Sequence, residues 1–219
     1  MIYLSRLLLE PNSRQVQRET ADPYNLHRTI LKAFTDNRDQ SGILHRLEVH
    51  PRTGQITLLV QSQAEPDWSP LLNKDYLLPT DPFSGLDNPA IKTVNLTLAQ
   101  GQIFQFRLVA NPTIKKVRRD ENDERRNSNR VPLKCESCQK SWLYKKAKSH
   151  GFHILDLQIN QSQNQKSWQK DNGRPITLYT VQFNGRLQIT NADQFNHALC
   201  YGIGPAKAFG CGLLSLAPA

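Results

Sequence analysis

ITLYTVQFNGRLQITNADQFNHALCYGIGPAKAFGCGLLSLAP, residues 176–218, decides the fold. ITLYTVQFNGRLQIT (176–190) alternates and is rich in β-branched and aromatic residues, which predicts a long strand. Asn191 or Asp193 is then placed to cap a helix that runs to about Tyr201. A glycine-rich turn follows, and CGLLSLAP returns as a short last strand. Working outward, FHILDLQIN (152–160) is the strand before, residues 135–149 suit a helix, and GQIFQFRLVANP (101–112) reads as a first strand. The order β-α-β-β-α-β is the split-βαβ, or ferredoxin-like, unit.

The first half follows the same plan. IYLSRLLL (2–9) reads as a strand. In DPYNLHRTILKAF (22–34), Asp22 serves as N-cap and Pro23 as first helical residue, and Leu26, Ile30, Ala33 and Phe34 recur at helical spacing, giving a helix over 23–35. ILHRLEVH (43–50) and QITLLVQS (55–62), joined by PRTG, form a hairpin. Residues 64–100 read as a linker with a short helical turn near Trp68, so the second helix of this unit is degraded. The expectation is an α+β protein of two tandem ferredoxin-like (RRM-like) βαββαβ domains, 1–95 and 96–219. RRM-like sheets are a common platform for RNA.

The formal net charge of +9 over 219 residues favours an anionic partner, nucleic acid before an acidic membrane. No apolar run reaches the roughly 18 residues of a membrane span. MIYLSRLLLEPNSR lacks a basic leader and is broken by Arg6, so it reads as a strand rather than a signal peptide, and the protein as cytoplasmic. Cys135 and Cys138 form a CxxC with no second pair and no HxxxH, so ordinary reduced cysteines are expected there instead of a zinc or redox site.

Four stretches carry chemistry. On the 23–35 helix, Tyr24, His27, Arg28, Lys32 and Thr35 fall on one side, opposite the apolar face. A solvated helix face has the same look. The chemistry this stripe would support is metal-free RNA cleavage: a 2′-hydroxyl attacks the adjacent phosphate, a histidine moves a proton, and cations stabilise the added charge. No HExxH or DxD motif argues for a metal. The second stretch, 111–133, holds Lys115, Lys116, Arg118, Arg119, Arg125, Arg126 and Arg130 with few apolar residues, and reads as a charged surface loop suited to phosphate. The third, 158–180, brings Lys166, Lys170 and Arg174 onto a long polar hairpin. The fourth is GIGPAKAFGCG, 202–212. It fails both the GxGxxG and the GxxxxGK[ST] patterns, which argues against a nucleotide cofactor. Gly202, Gly204 and Gly210 instead allow backbone amides to approach a backbone phosphate, with Lys207 as point charge. A tight helix-to-strand turn accounts for them equally well.

In this order the pieces resemble the CRISPR-associated repeat-RNA endoribonucleases, specifically the CasE family of the type I-E Cascade complex. The resemblance is carried by MIYLSRLLL, DPYNLHRTILKAF, QSQAEPDW, FRLVANPTIK, RVPLK, QFNGRLQI and above all GIGPAKAFGCGLLSLAP. It implies metal-independent cleavage at the 3′ base of a repeat stem-loop, leaving a 2′,3′-cyclic phosphate and a 5′-hydroxyl. It also implies retention on the product as a Cascade subunit, with no cofactor. By position, His27 matches the family's catalytic histidine, Tyr24 an assisting tyrosine and Lys32 a lysine at the scissile phosphate. Thr35 falls where a relative has serine. Arg126 and Arg130 fall in the loop that approaches the cut, and residues 160–175 take the place of the stem-binding hairpin. Two rivals stand beside this reading. One is a non-catalytic repeat-RNA scaffold. The other is a single-strand binder stacking bases on Phe104 and Phe106, two residues for which burial in the core is the simpler fate.

Overall fold

The computed structural model describes residues 1–34, 42–72, 75–80, 87–115, 118–119, 125–126, 130–168 and 175–219. Thr35, Lys116, Lys170 and Arg174 lie outside the described residues, as do the side chains of Arg118, Arg119, Arg125 and Arg126. The first unit runs β1 (Ile2–Leu9), α1 (Arg14–Ala21), α2 (Pro23–Ile30), β2 (Leu44–Val49), β3 (Ile56–Ser62), α3 (Ser69–Leu72) and β4 (Ala90–Val94). Its antiparallel sheet has the order β2-β3-β1-β4. The second begins with β5 (Ile103–Ala110). Four short strands follow: β6 (Thr113–Lys115), β7 (Arg118–Arg119), β8 (Arg125–Arg126) and β9 (Arg130–Pro132). It closes with α4 (Glu136–Ser149), β10 (Phe152–Trp168), β11 (Pro175–Ile189), α5 (Ala192–Tyr201) and β12 (Leu214–Pro218), in a sheet ordered β10-β11-β5-β12. In each sheet the second, third, first and fourth main strands of the unit lie side by side, which is the ferredoxin-like arrangement.

Local chemistry explains the boundaries. The Asp22 side chain accepts the Tyr24 N–H at 3.2 Å and Pro23 opens α2. Asn191 accepts the Gln194 N–H at 3.0 Å and starts α5. Two apolar cores sit under the sheets. Leu7, Leu9, Leu26, Ile30, Leu58 and Trp68 build the first, and Phe106, Leu108, Leu143, Phe183, Leu187 and Phe195 the second. Each such side chain contributes about 1.5–3 kcal/mol by leaving water. Phe106 is buried and Phe104 packs partly against the same core, as the simpler reading of FQFRL expects.

The structure corrects several expectations. α1 occupies a stretch that carries no helical apolar stripe; it buries Val16 and the carboxylate of Glu19, which accepts from Tyr76 Oη at 2.7 Å and Thr29 Oγ1 at 3.0 Å. α2 ends at Ile30 and tightens into a 3₁₀ turn over Leu31–Ala33, whose last backbone bonds satisfy carbonyls left open at a helix end. The supposed linker contains β4, an edge strand paired with β1. The basic loop is partly paired, β6 with β9 and β7 with β8. The long polar hairpin, by contrast, is present as expected, paired from its base through Trp168 and Pro175. Cys135 and Cys138 are joined by a disulfide, not reduced: Cys135 is the extended N-cap of α4, and the two Cα atoms lie 5.3 Å apart, within bonding reach. Cys200 and Cys211 are free.

The units meet at the glycine-rich turn. Gly202 has φ +75°, and a Cβ there would lie 2.7 Å from Leu44 Cδ2 and 2.9 Å from the Gly212 oxygen. Beside it, Gln61 Nε2 donates to the Leu199 carbonyl at 2.6 Å. Buried Arg46 donates to Ser215 Oγ at 2.9 Å and pairs with Glu48 at 2.8 Å, and Arg107 reaches Glu48 at 3.3 Å. Gly202→Ala should therefore combine left-handed backbone strain with overpacking and cost about 2–4 kcal/mol, read as a lower urea midpoint. An unchanged midpoint would mean that the junction gives way without loss.

Candidate functional site

The site is built where α2 meets the far end of the hairpin and the glycine-rich turn. Asp22 caps α2 and also accepts from Asn25 Nδ2 at 2.8 Å and from the buried Ser167 hydroxyl of β10. The Tyr24 N–H lies 3.3 Å from Ser167 Oγ as well. The hairpin is thus tied to the start of the helix. Leu26, Thr29 and Ile30 point into the core, Tyr24 and His27 are half-buried, and Arg28 is exposed. Exposed Lys32 stands on the 3₁₀ turn.

The His27 ring stacks on the ring of His45 from β2, with centroids 5.5 Å apart and an interplanar angle of 18°. His45 is 1% exposed, and neither of its ring nitrogens has a hydrogen-bond partner among the described residues. Gly210 covers it from the other unit; a Cβ there would approach His45 Nε2 to 3.7 Å. One residue earlier, Phe209 meets Tyr24 with ring centroids 6.2 Å apart. Lys207–Phe209 is a 3₁₀ turn between residues in left-handed conformation, Ala206 and Gly210. Beneath it a cavity of about 100 Å³ is lined by Gln163, Gln165, Thr180 and Gln182 of the hairpin with His45 and Gly210.

Burial lowers the pKa of both imidazoles. His45 falls to about 3, through desolvation first and the charge of His27 second. His27 is lowered by desolvation. The stack therefore presents a neutral His27 at neutral pH, and a neutral imidazole accepts protons.

The structure brings Tyr24, His27 and Gly210 to one junction, while Lys207 opens the same turn in a separate cleft. Gly202 and Gly204 serve packing, Gly202 on Leu44 and Gly204 on Trp142. Lys115 and Arg130 are exposed on the ribbon of β6 and β9, where Arg130 Nη1 donates to Thr113 Oγ1 at 3.4 Å, and Lys166 is exposed near the end of β10. Sequence reasoning missed His45 and Ser167. The one available signal for His45 was a pair of adjacent polar residues, His45-Arg46, which breaks the alternation of the strand Leu44–Val49. Among the described residues, no group of three His, Cys, Asp or Glu is placed to hold a metal ion, and no helix is long and apolar enough to cross a membrane.

Comparison with known proteins adds the lineage. The family described as CRISPR associated protein matches residues 2–218. The chain belongs to this family. Among its CRISPR-associated relatives, the endoribonuclease Cse3 of Thermus thermophilus is 32% identical over 99% of this chain and 100% of its own. The Cascade subunit CasE of Escherichia coli is 36% identical over 99% and 100%. A solved structure of Thermus thermophilus Cse3 bound to an RNA representing a pre-cleavage complex superposes with a TM-score of 0.83 at 31% identity, covering 99% of both chains. Cas6e from Escherichia coli K-12 gives 0.69 at 28% identity, covering 99% of this chain and 100% of its own.

The buried stack of this CRISPR-associated protein sets a pH dependence. An unfolded histidine titrates near 6.5, so below that pH the unfolded chain takes a proton that His45 refuses until about pH 3. The stability that His45 contributes is present above pH 6.5 and lost as pH falls, by up to about 1.4 kcal/mol per unit. His45→Phe should flatten the decline of the urea midpoint between pH 6.5 and 4. An identical slope in the variant would show that His45 is already protonated in the folded protein.

Proposed function

We propose that the protein is a metal-independent endoribonuclease that cuts CRISPR precursor RNA at the 3′ base of the repeat stem-loop and stays on the product as a Cascade subunit. The observation that carries this reading is the half-buried, neutral His27 stacked on His45 at the junction of α2, the hairpin and the glycine-rich turn, in a chain whose full-length relatives are named endoribonuclease and Cascade subunit.

In the mechanism this supports, His27 takes the proton of the 2′-hydroxyl as that oxygen attacks the adjacent phosphorus. The P–O5′ bond then breaks. The departing oxygen gains a proton and becomes a 5′-hydroxyl, and the phosphate closes on the 2′- and 3′-oxygens. The phenol of Tyr24 stands one helical turn before His27 and is the acid best placed on α2 to supply that proton. Exposed Lys32 and Arg28 offer positive charge for the pentavalent phosphorane. The hairpin of β10 and β11, with Lys166, and exposed Lys115 on the neighbouring ribbon receive the stem. Transcripts are made in the cytoplasm, and the reading places the protein there.

His27→Ala should slow single-turnover cleavage of a cognate repeat hairpin by about 100-fold or more, in EDTA, with hairpin affinity retained. Persistent cutting by the variant would overturn the assignment, and wild-type protein that binds the hairpin without cutting it would make it a scaffold. The rate should rise with pH through an apparent pKa below 6.5 and then level, because deprotonation creates the active form of His27. A rate that falls through the same range would make the imidazolium the active species.

A further inference from the structure

On the other side of the glycine-rich turn from the His27–His45 stack lies a second cleft, of about 390 Å³. Arg130 of β9, Lys146 and His150 of α4, His197 and Tyr201 of α5 and Lys207 of the turn line it, over Trp142. No aspartate or glutamate lines it among the described residues. The basic groups feel one another. His150 is lowered first by desolvation and then by Lys146, His197 and Lys207; Lys207 is lowered first by desolvation and then by Lys146. Positive groups gathered without a carboxylate repel unless an anion joins them.

The cleft also offers flat surfaces. His197 and Tyr201 are one helical turn apart, both exposed, with ring centroids 4.6 Å apart. Lys146 Nζ stands 6.0 Å from the centre of the Trp142 ring. Trp142 itself is buried, so the exposed face is the His197–Tyr201 pair; cations near such a face are what single-stranded nucleic acid uses, its phosphates on the charges and its bases on the rings. An acidic protein segment would engage the charges and leave the rings idle.

The turn fixes where such a strand would run. Lys207 begins it in the cleft, Phe209 ends it against Tyr24, and Gly210 covers His45. At about 2 Å per residue of 3₁₀ helix, the two sites are separated by on the order of 6 Å along the turn. The hairpin side chains Gln163 and Gln165 lie on the opposite side, in the cavity beneath the stack.

We propose that this cleft holds the unpaired RNA immediately downstream of the cut, with phosphates on Lys146, Lys207 and Arg130 and a base on the Tyr201–His197 pair. The stem and the leaving strand then approach the scissile bond from opposite sides of one turn. This inference rests on the endoribonuclease reading. The test uses two repeat hairpins with a 2′-deoxy nucleotide at the cut, one carrying six downstream nucleotides and one ending at the cut. The wild-type chain should bind the extended RNA more tightly. Lys146→Ala/Tyr201→Ala should remove about tenfold of that affinity and lower the salt slope by about 0.7 for each phosphate no longer neutralised, while the short hairpin binds as before. Equal weakening on both RNAs would assign the cleft to the stem, and unchanged affinity for both would exclude RNA from it; either outcome overturns the proposal. A melting curve for the variant separates misfolding from a local effect on binding. Cleavage of the all-ribose hairpin by the wild type reports on the endoribonuclease reading separately.

Discussion

The absence of a side chain at Gly202 is the constraint on which the rest depends. Leu44 of the first unit and the Gly212 backbone of the second close on that α-carbon from two directions. Two ferredoxin-like units tethered by a linker would otherwise move freely against each other. Here the close approach lets Arg46 and Gln61 reach backbone and hydroxyl groups of the second unit. With the units locked, the 3₁₀ turn lands on α2, and Phe209 and Gly210 find Tyr24 and His45. The site is a by-product of the junction: the first unit supplies the stacked histidines, and the second supplies the turn and hairpin that cover them.

That junction buries an imidazole without hydrogen bonds, which is unfavourable. An unsatisfied buried polar group costs about 1–3 kcal/mol. Cores rarely retain such groups, and where they persist a functional reason is the first to seek. Burial in the stack leaves His27 in its proton-accepting form near neutrality, over a ring that is itself uncharged. A carboxylate in the same place would raise the pKa and hold the imidazolium instead. The choice of partner beneath the histidine therefore sets which half of acid–base chemistry it is ready for.

Much of this was legible in the sequence. The β-α-β-β-α-β order of the second half, the capping by Asp22 and Asn191, and the pairing of 43–50 with 55–62 all follow from periodicity and turn chemistry, which are local. α1 was hidden because its buried face includes a carboxylate, Glu19, whose partners Thr29 and Tyr76 lie far along the chain. β4 was hidden because an edge strand with Lys92 and Thr93 exposed has no alternation to read. His45 and Ser167 were invisible as site residues for the same reason: one matters through Gly210 and the other through Asp22, and no local pattern reports a contact across 145 residues. The glycines of the late turn were conspicuous from the start. Their division of labour, with Gly202 and Gly204 packing and Gly210 facing His45, needed coordinates.

Synthesis order gives the junction one more consequence. Arg46 and Ser215, which meet across it, are 169 residues apart. At 5–20 residues per second, the ribosome needs on the order of ten to thirty seconds between them. Throughout that interval the first unit carries Leu44, His45 and Arg46 without the cover they have in the finished protein. A nascent chain therefore holds its histidines wet and its helix unbraced. The candidate site is completed late, by the arrival of the glycine-rich turn.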